Sequence, residues 1–150
     1  MKRYDACSEA FIAGKPMAPD ASLPEGMKTL LASLAAPANL PFARELWVEN
    51  PAHLASQVSE PMLVLIGKKD IQTDWRADGD ALQKATAKNG NATLSFPDNA
   101  DHVLKYEPRL REDLVAAEVG ARYNAEGRVL DSDALSAITD WLVEQSDGAM

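Results

Sequence analysis

The sequence predicts an α/β fold: two parallel strands with flanking helices, preceded by a helical segment. Three observations predict it. Residues 62–66, Met-Leu-Val-Leu-Ile, form an unbroken apolar run, the pattern of a strand buried on both faces of a parallel sheet. Residues 92–96 form a second strand-like run, joined to the first by one helix-length stretch and short connections, as in a right-handed crossover. Residues 1–58 show helical spacing broken by prolines and no convincing strand.

Residues 1–11 have Tyr4, Cys7 or Ser8, and Phe11 on one side of a short helix. Gly14, Pro16, Pro19 and Pro24 make the next stretch a loop. Ser22 and Glu25 have capping-box spacing, and Met27, Leu30, Leu31 and Leu34 follow on one helical face until Pro37. Residues 41–48 and 51–58 read as two more short helices. After the first strand come Gly67, two lysines and Asp70. Thr73 or Asp74 caps a helix over 75–88 that presents Trp75, Ala81, Leu82 and Ala85. Asn89-Gly90-Asn91 ends it, and residues 97–100 are turn chemistry before His102. A helix around 110–119 is expected in the next stretch. Asp131 or Ser132 caps the last helix, whose apolar face is Leu135, Ile138, Trp141 and Leu142. The organisation is therefore a helical segment over residues 1–59 and an α/β part over 60–150.

Two parallel strands make a poor sheet, because such strands need neighbours and cover on both faces. The sequence reads as an incomplete sheet whose other strands lie upstream.

Composition narrows the function. Apolar residues make up 46% and charged residues 25%, which is globular usage. The net charge of −8 speaks against nucleic acid and anionic membranes as partners. One cysteine excludes an internal disulfide and a cysteine-rich metal site. The first residues lack the apolar core of a secretory signal, and the longest apolar run is far too short for a bilayer. A cytoplasmic protein is expected.

Asp70 lies just beyond the first strand and His102 just beyond the second. Ligands of open parallel sheets bind outside the carboxyl ends of the strands, so both side chains belong to one rim. A carboxylate beside an imidazole fixes its tautomer and stabilises the imidazolium formed in proton transfer. Asp74 competes for the acid role, although helix capping suits it better. Asp101 points away from this pair, in a solvated or turn role. His53 reads as a surface or packing residue. Asp70, Asp74, Asp101 and His102 lack the tight spacing of a metal site. Phe11, Phe42, Leu46 and Trp47 either line an acyl or aromatic pocket or form the helical segment's own packing.

Residues 61–70, Pro-Met-Leu-Val-Leu-Ile-Gly-Lys-Lys-Asp, resemble the late α/β-hydrolase strand that delivers the triad acid. Residues 99–102, Asn-Ala-Asp-His, are similar to the histidine loop of that superfamily, and the closing helix to its last helix. The resemblance covers roughly residues 60–145, and it makes the proline-broken start a lid or cap. It implies a serine hydrolase acting on ester, thioester or amide bonds of a small acyl substrate, without metal or organic cofactor. By that resemblance Asp70 is the orienting acid and His102 the general base.

The superfamily's order is nucleophile, acid, histidine, with the nucleophile in G-x-S-x-G. None of Ser8, Ser22, Ser33, Ser56 and Ser59 has glycine two residues before and two after, and no glycine-rich oxyanion segment is present. The expectation is the C-terminal half of a hydrolase, inactive alone. The alternatives are a non-catalytic α/β module that associates through an exposed sheet edge, with itself or with a separate N-terminal half, and a truncated product in which Met1 is an internal methionine.

Overall fold

The computed structural model describes Glu9, residues 11–13, Lys15 and residues 21–148. Tyr4, Cys7 and Ser8 lie outside these residues, as does the side chain of Trp47. The chain divides into two compact units, Met1–Asn50 and Pro51–Met150.

In the first unit the described helices are α1 (Glu25–Leu34) and α2 (Leu40–Val48), and residues 9, 11 and 12 are also helical. The expected capping box is not the start of α1. Pro24 occupies the cap position without a side-chain cap bond, and Glu25 pairs instead with Lys28 at 2.7 Å. Proline's fixed φ suits the entry to a helix, and its missing N–H would have no partner there. Pro41 opens α2 in the same way. Among the described residues of this unit, Phe11 and Ala43 are the buried apolar ones, and Arg44 stands 5.9 Å from the centre of the Phe11 ring. No residue of α1 is buried.

The second unit runs α3 (Pro51–Ala55), β1 (Met62–Leu65), α4 (Ala77–Thr86), β2 (Ala92–Ser95), a 3₁₀ turn (Arg111–Asp113), α5 (Ala116–Arg122) and α6 (Ser132–Asp147). Strands β1 and β2 pair in parallel, with Met62 opposite Ala92 and Leu65 opposite Ser95. Helix α4 lies between them in sequence, contacts β2, and packs on α3. Gly79 lets α4 sit close: a Cβ there would stand 2.6 Å from the Phe96 ring. Gly90, at φ +66°, ends the α4 region as its position in Asn-Gly-Asn predicts.

Three expectations need correction. The β1 residues are half-buried rather than buried on both faces, because β2 is the strand's one partner among the described residues. The helix expected over 110–119 is a 3₁₀ turn followed by α5, divided by extended residues Leu114 and Val115. Helix α6 is capped by Asp131, which accepts the N–H groups of Asp133 and Ala134. Its inner face, however, is Ala134, Ile138 and Trp141, while Leu135 and Leu142 are exposed. The two faces share Ile138 and Trp141, and the observed one is turned by roughly half of the 100° that separates successive residues. Small Ala134, fully buried, lets the helix approach β1.

No helix among the described residues is long and apolar enough to cross a membrane.

Candidate functional site at the carboxyl rim of the sheet

The ladder of the two strands continues past their ends. Ile66 N–H donates to Ser95 O, Lys68 N–H to Pro97 O and Lys69 N–H to Ala100 O, at 2.9–3.2 Å. Gly67 makes this possible. A Cβ at residue 67 would lie 2.1 Å from the Ala100 carbonyl oxygen, so a side chain there would force the two loops apart. The close approach carries Asp70 and His102 to the same rim.

His102 Nδ1 stands 2.9 Å from Asp70 Oδ2. The second oxygen, Oδ1, accepts the N–H groups of Gln72 at 2.7 Å and Thr73 at 3.0 Å. Arg111 Nε donates to the Asp70 carbonyl oxygen at 2.9 Å and so holds the backbone of the same residue. Asp70 is 4% exposed, whereas the His102 side chain is 40% exposed. A buried carboxylate thus faces a solvent-accessible imidazole. In the neutral form of the ring, an Asp70 acceptor places the proton on Nδ1 and leaves the lone pair on Nε2. No described residue bonds to Nε2. A ring held this way can take a proton at Nε2 and return it.

Tyr123, just after α5, brings its ring to 6.0 Å from the His102 ring, and its hydroxyl accepts a hydrogen bond from Gln72 Nε2 at 2.7 Å. Tyr123 flanks the imidazole, Gln72 links it to the Asp70 loop, and neither stands out in the sequence.

Asp74 is a capping residue. Its Oδ1 accepts the N–H groups of Arg76 and Ala77, and its own N–H donates to Asp78. Those backbone N–H groups hold the Asp74 carboxyl below its ordinary pKa. His53 is exposed on α3, where its Nε2 accepts from Gln57.

Asp101 is neither solvated nor idle. It is fully buried, and it takes the turn role rather than the solvated one. Its Oδ1 accepts the N–H groups of Val103 and Lys105, and its Oδ2 meets Arg128 at 2.5 Å. Arg128 also donates to Glu107, which binds Arg109 through both oxygens at 2.8 and 3.0 Å. These guanidinium bonds, Arg109 first, pull the Glu107 carboxyl down to about 2. Between Asp101 and Glu107 lies Leu104 at φ +60°, a left-handed conformation costing a side-chain-bearing residue about 1–2 kcal/mol. In the network missed by sequence reasoning, Arg128 reaches residues 21 and 27 positions away, a spacing that no periodicity marks.

Of the four residues expected to line a pocket, Phe11 is buried, while Phe42 and Leu46 are 65% and 60% exposed. Among the described residues, no three His, Cys, Asp or Glu side chains converge on a place for a metal ion.

Comparisons with family models, curated proteins and solved structures give no match for this chain.

Proposed function

We propose that this chain is the C-terminal portion of an α/β-hydrolase-fold serine hydrolase, supplying the orienting acid Asp70 and the general base His102. The observation that carries the proposal is the 2.9 Å contact between His102 Nδ1 and buried Asp70 at the carboxyl rim of two adjacent parallel strands. In the complete protein, a serine from an upstream elbow attacks an ester, thioester or amide carbonyl of a small acyl substrate. His102 Nε2 takes the hydroxyl proton and passes it to the leaving group, while Asp70 holds the ring. The chemistry needs no metal or organic cofactor. The acidic, cysteine-poor sequence fits a cytoplasmic enzyme. The upstream strands complete the sheet beside half-buried β1.

The test is to extend the reading frame upstream, express the longer product and assay p-nitrophenyl ester hydrolysis. An in-frame strand with G-x-S-x-G is expected, with a kcat that falls about 10⁶-fold in His102→Ala. Absence of such a frame, or activity indifferent to His102→Ala, defeats the proposal.

The half-buried strand β1 favours a second reading, a non-catalytic module that associates with another copy through its sheet edge. Sedimentation velocity of the purified chain distinguishes it. A concentration-dependent dimer supports the module, and a compact monomer up to high concentration removes it.

A further inference from the structure

We propose that Asp101 and Arg128 are positioning residues for His102: their buried ion pair sets the turn that aims the imidazole at Asp70. The catalytic purpose of that aim rests on the hydrolase proposal, but the geometric claim does not.

His102 sits in a tight turn whose backbone is fastened at nearly every other residue. Asp101 N–H donates to Lys105 O, and Leu104 N–H donates to Asp101 O, at 2.9 and 3.0 Å. The Asp101 side chain brackets the same turn by accepting from Val103 and Lys105 at 3.0 and 2.9 Å. Left-handed Leu104 lies between those two anchors. A strained residue persists only where its surroundings over-determine it. Here the surroundings are the Asp101 carboxylate oxygen, which holds the residues on either side, and the backbone bonds of Leu104 to Asp101 and Asp131.

The other oxygen is held by Arg128, which is only 11% exposed in its side chain. Arg128 is in turn braced by Glu107, itself 1% exposed and fixed by Arg109. The chain segment that carries Arg128 is stitched to the same turn by its backbone. Tyr106 N–H donates to Val129 O, and Asp131 N–H donates to Leu104 O. An interior carboxylate needs such pairing to remain charged. Charge on Asp101 strengthens its bonds to the turn N–H groups. Two buried acids therefore act in series, Asp70 gripping Nδ1 and Asp101 gripping the backbone that carries the ring.

The experiment follows the His102 Nδ1 proton by ¹⁵N-edited NMR in the chain as it stands, without reference to activity. In the parent chain a downfield, slowly exchanging Nδ1 proton is expected. Asp70→Asn, the positive control, should remove it. Asp101→Asn retains an acceptor for the turn but loses the charge. It should leave the fold intact by far-UV circular dichroism and speed exchange of that proton roughly tenfold. Arg128→Lys should do the same to a smaller degree. Asp131→Ala, which uncaps α6 without touching Asp101, should lower thermal stability and leave the proton's exchange unchanged. Parent-like exchange in both Asp101→Asn and Arg128→Lys overturns the proposal. So does unfolding of both variants, which would make the cluster a matter of stability alone. A missing Nδ1 proton in the parent overturns the Asp70–His102 pair and the hydrolase proposal with it, whereas absent esterase activity in the extended protein leaves the positioning claim standing.

Discussion

The carboxyl rim of the second unit and the helices of the first bury opposite kinds of side chain. At the rim, Asp70, Asp101, Glu107 and Asp131 are each at most 4% exposed, and every one has hydrogen-bond partners. In the first unit, Leu30, Phe42 and Leu46 are more than half exposed, and α1 buries nothing. Burying a charge is costly unless it is paired, whereas leaving a leucine exposed forgoes only a small gain. The rim is therefore where this chain holds its most constrained groups. In these two regions full burial goes with hydrogen-bonded carboxylates more closely than with apolar content.

Substitutions that break or sharpen this contrast can be ranked. The largest effect is expected for Gly67→Ala, where the new methyl meets backbone that cannot swing away. A loss of more than about 3 kcal/mol in urea unfolding is expected, with the Asp70–His102 contact broken. A neutral result there would mean that the two loops are not zipped.

Glu107→Gln comes next, with a loss of about 2–3 kcal/mol at pH 7. Its pH dependence sharpens the test. Glu107 titrates at about 2 when folded and near its ordinary 4.5 when unfolded. Between these values the unfolded state binds more protons, so stability rises with pH. The contribution is fully present above the unfolded pKa and disappears as pH falls from about 4.5 through about 2. Thermal melts across that window should be flatter for Glu107→Gln than for the parent. Parallel curves would count against the arginine pairing.

Asp131→Ala removes the cap of α6 and should cost about 1–2 kcal/mol by chemical denaturation. The first unit should respond weakly. Gly26→Ala in α1 meets no atom within 4 Å and should add up to about 0.5–1 kcal/mol through helix propensity. Phe42→Ser, at an exposed ring, should fall within about 0.5 kcal/mol of the parent. A large loss at Phe42 would show that its ring is packed in solution and would erase the contrast between the two regions.

The elements most legible in the sequence are those with a local physical signature. Residues 62–66 read as a strand because five apolar residues in succession suit a sheet and are too few for a helix of ordinary length. The Asn-Gly-Asn stop and the Asp131 cap are short-range chemistry, and both stand where local rules put them. The placement of Asp70 and His102 on one rim followed from topology: parallel strands joined by a helical crossover present their carboxyl ends together. Periodicity places Ile138 and Trp141 correctly on the inner face of α6, but it weighs large Leu135 and Leu142 above small Ala134, which takes their place. Close approach to a strand rewards the alanine.

The α/β order, the parallel pairing and the meeting of one carboxylate with one imidazole were already written in the order of residues, since each depends on neighbours or on chain connectivity. Only the tertiary structure decided how buried Asp70 is, that Asp101 is interior, and that Arg128 and Glu107 stand behind it. A charged residue carries no mark of its burial along the chain. Whether it faces water or an arginine depends on which distant segment folds over it, and that is settled by desolvation and pairing in three dimensions.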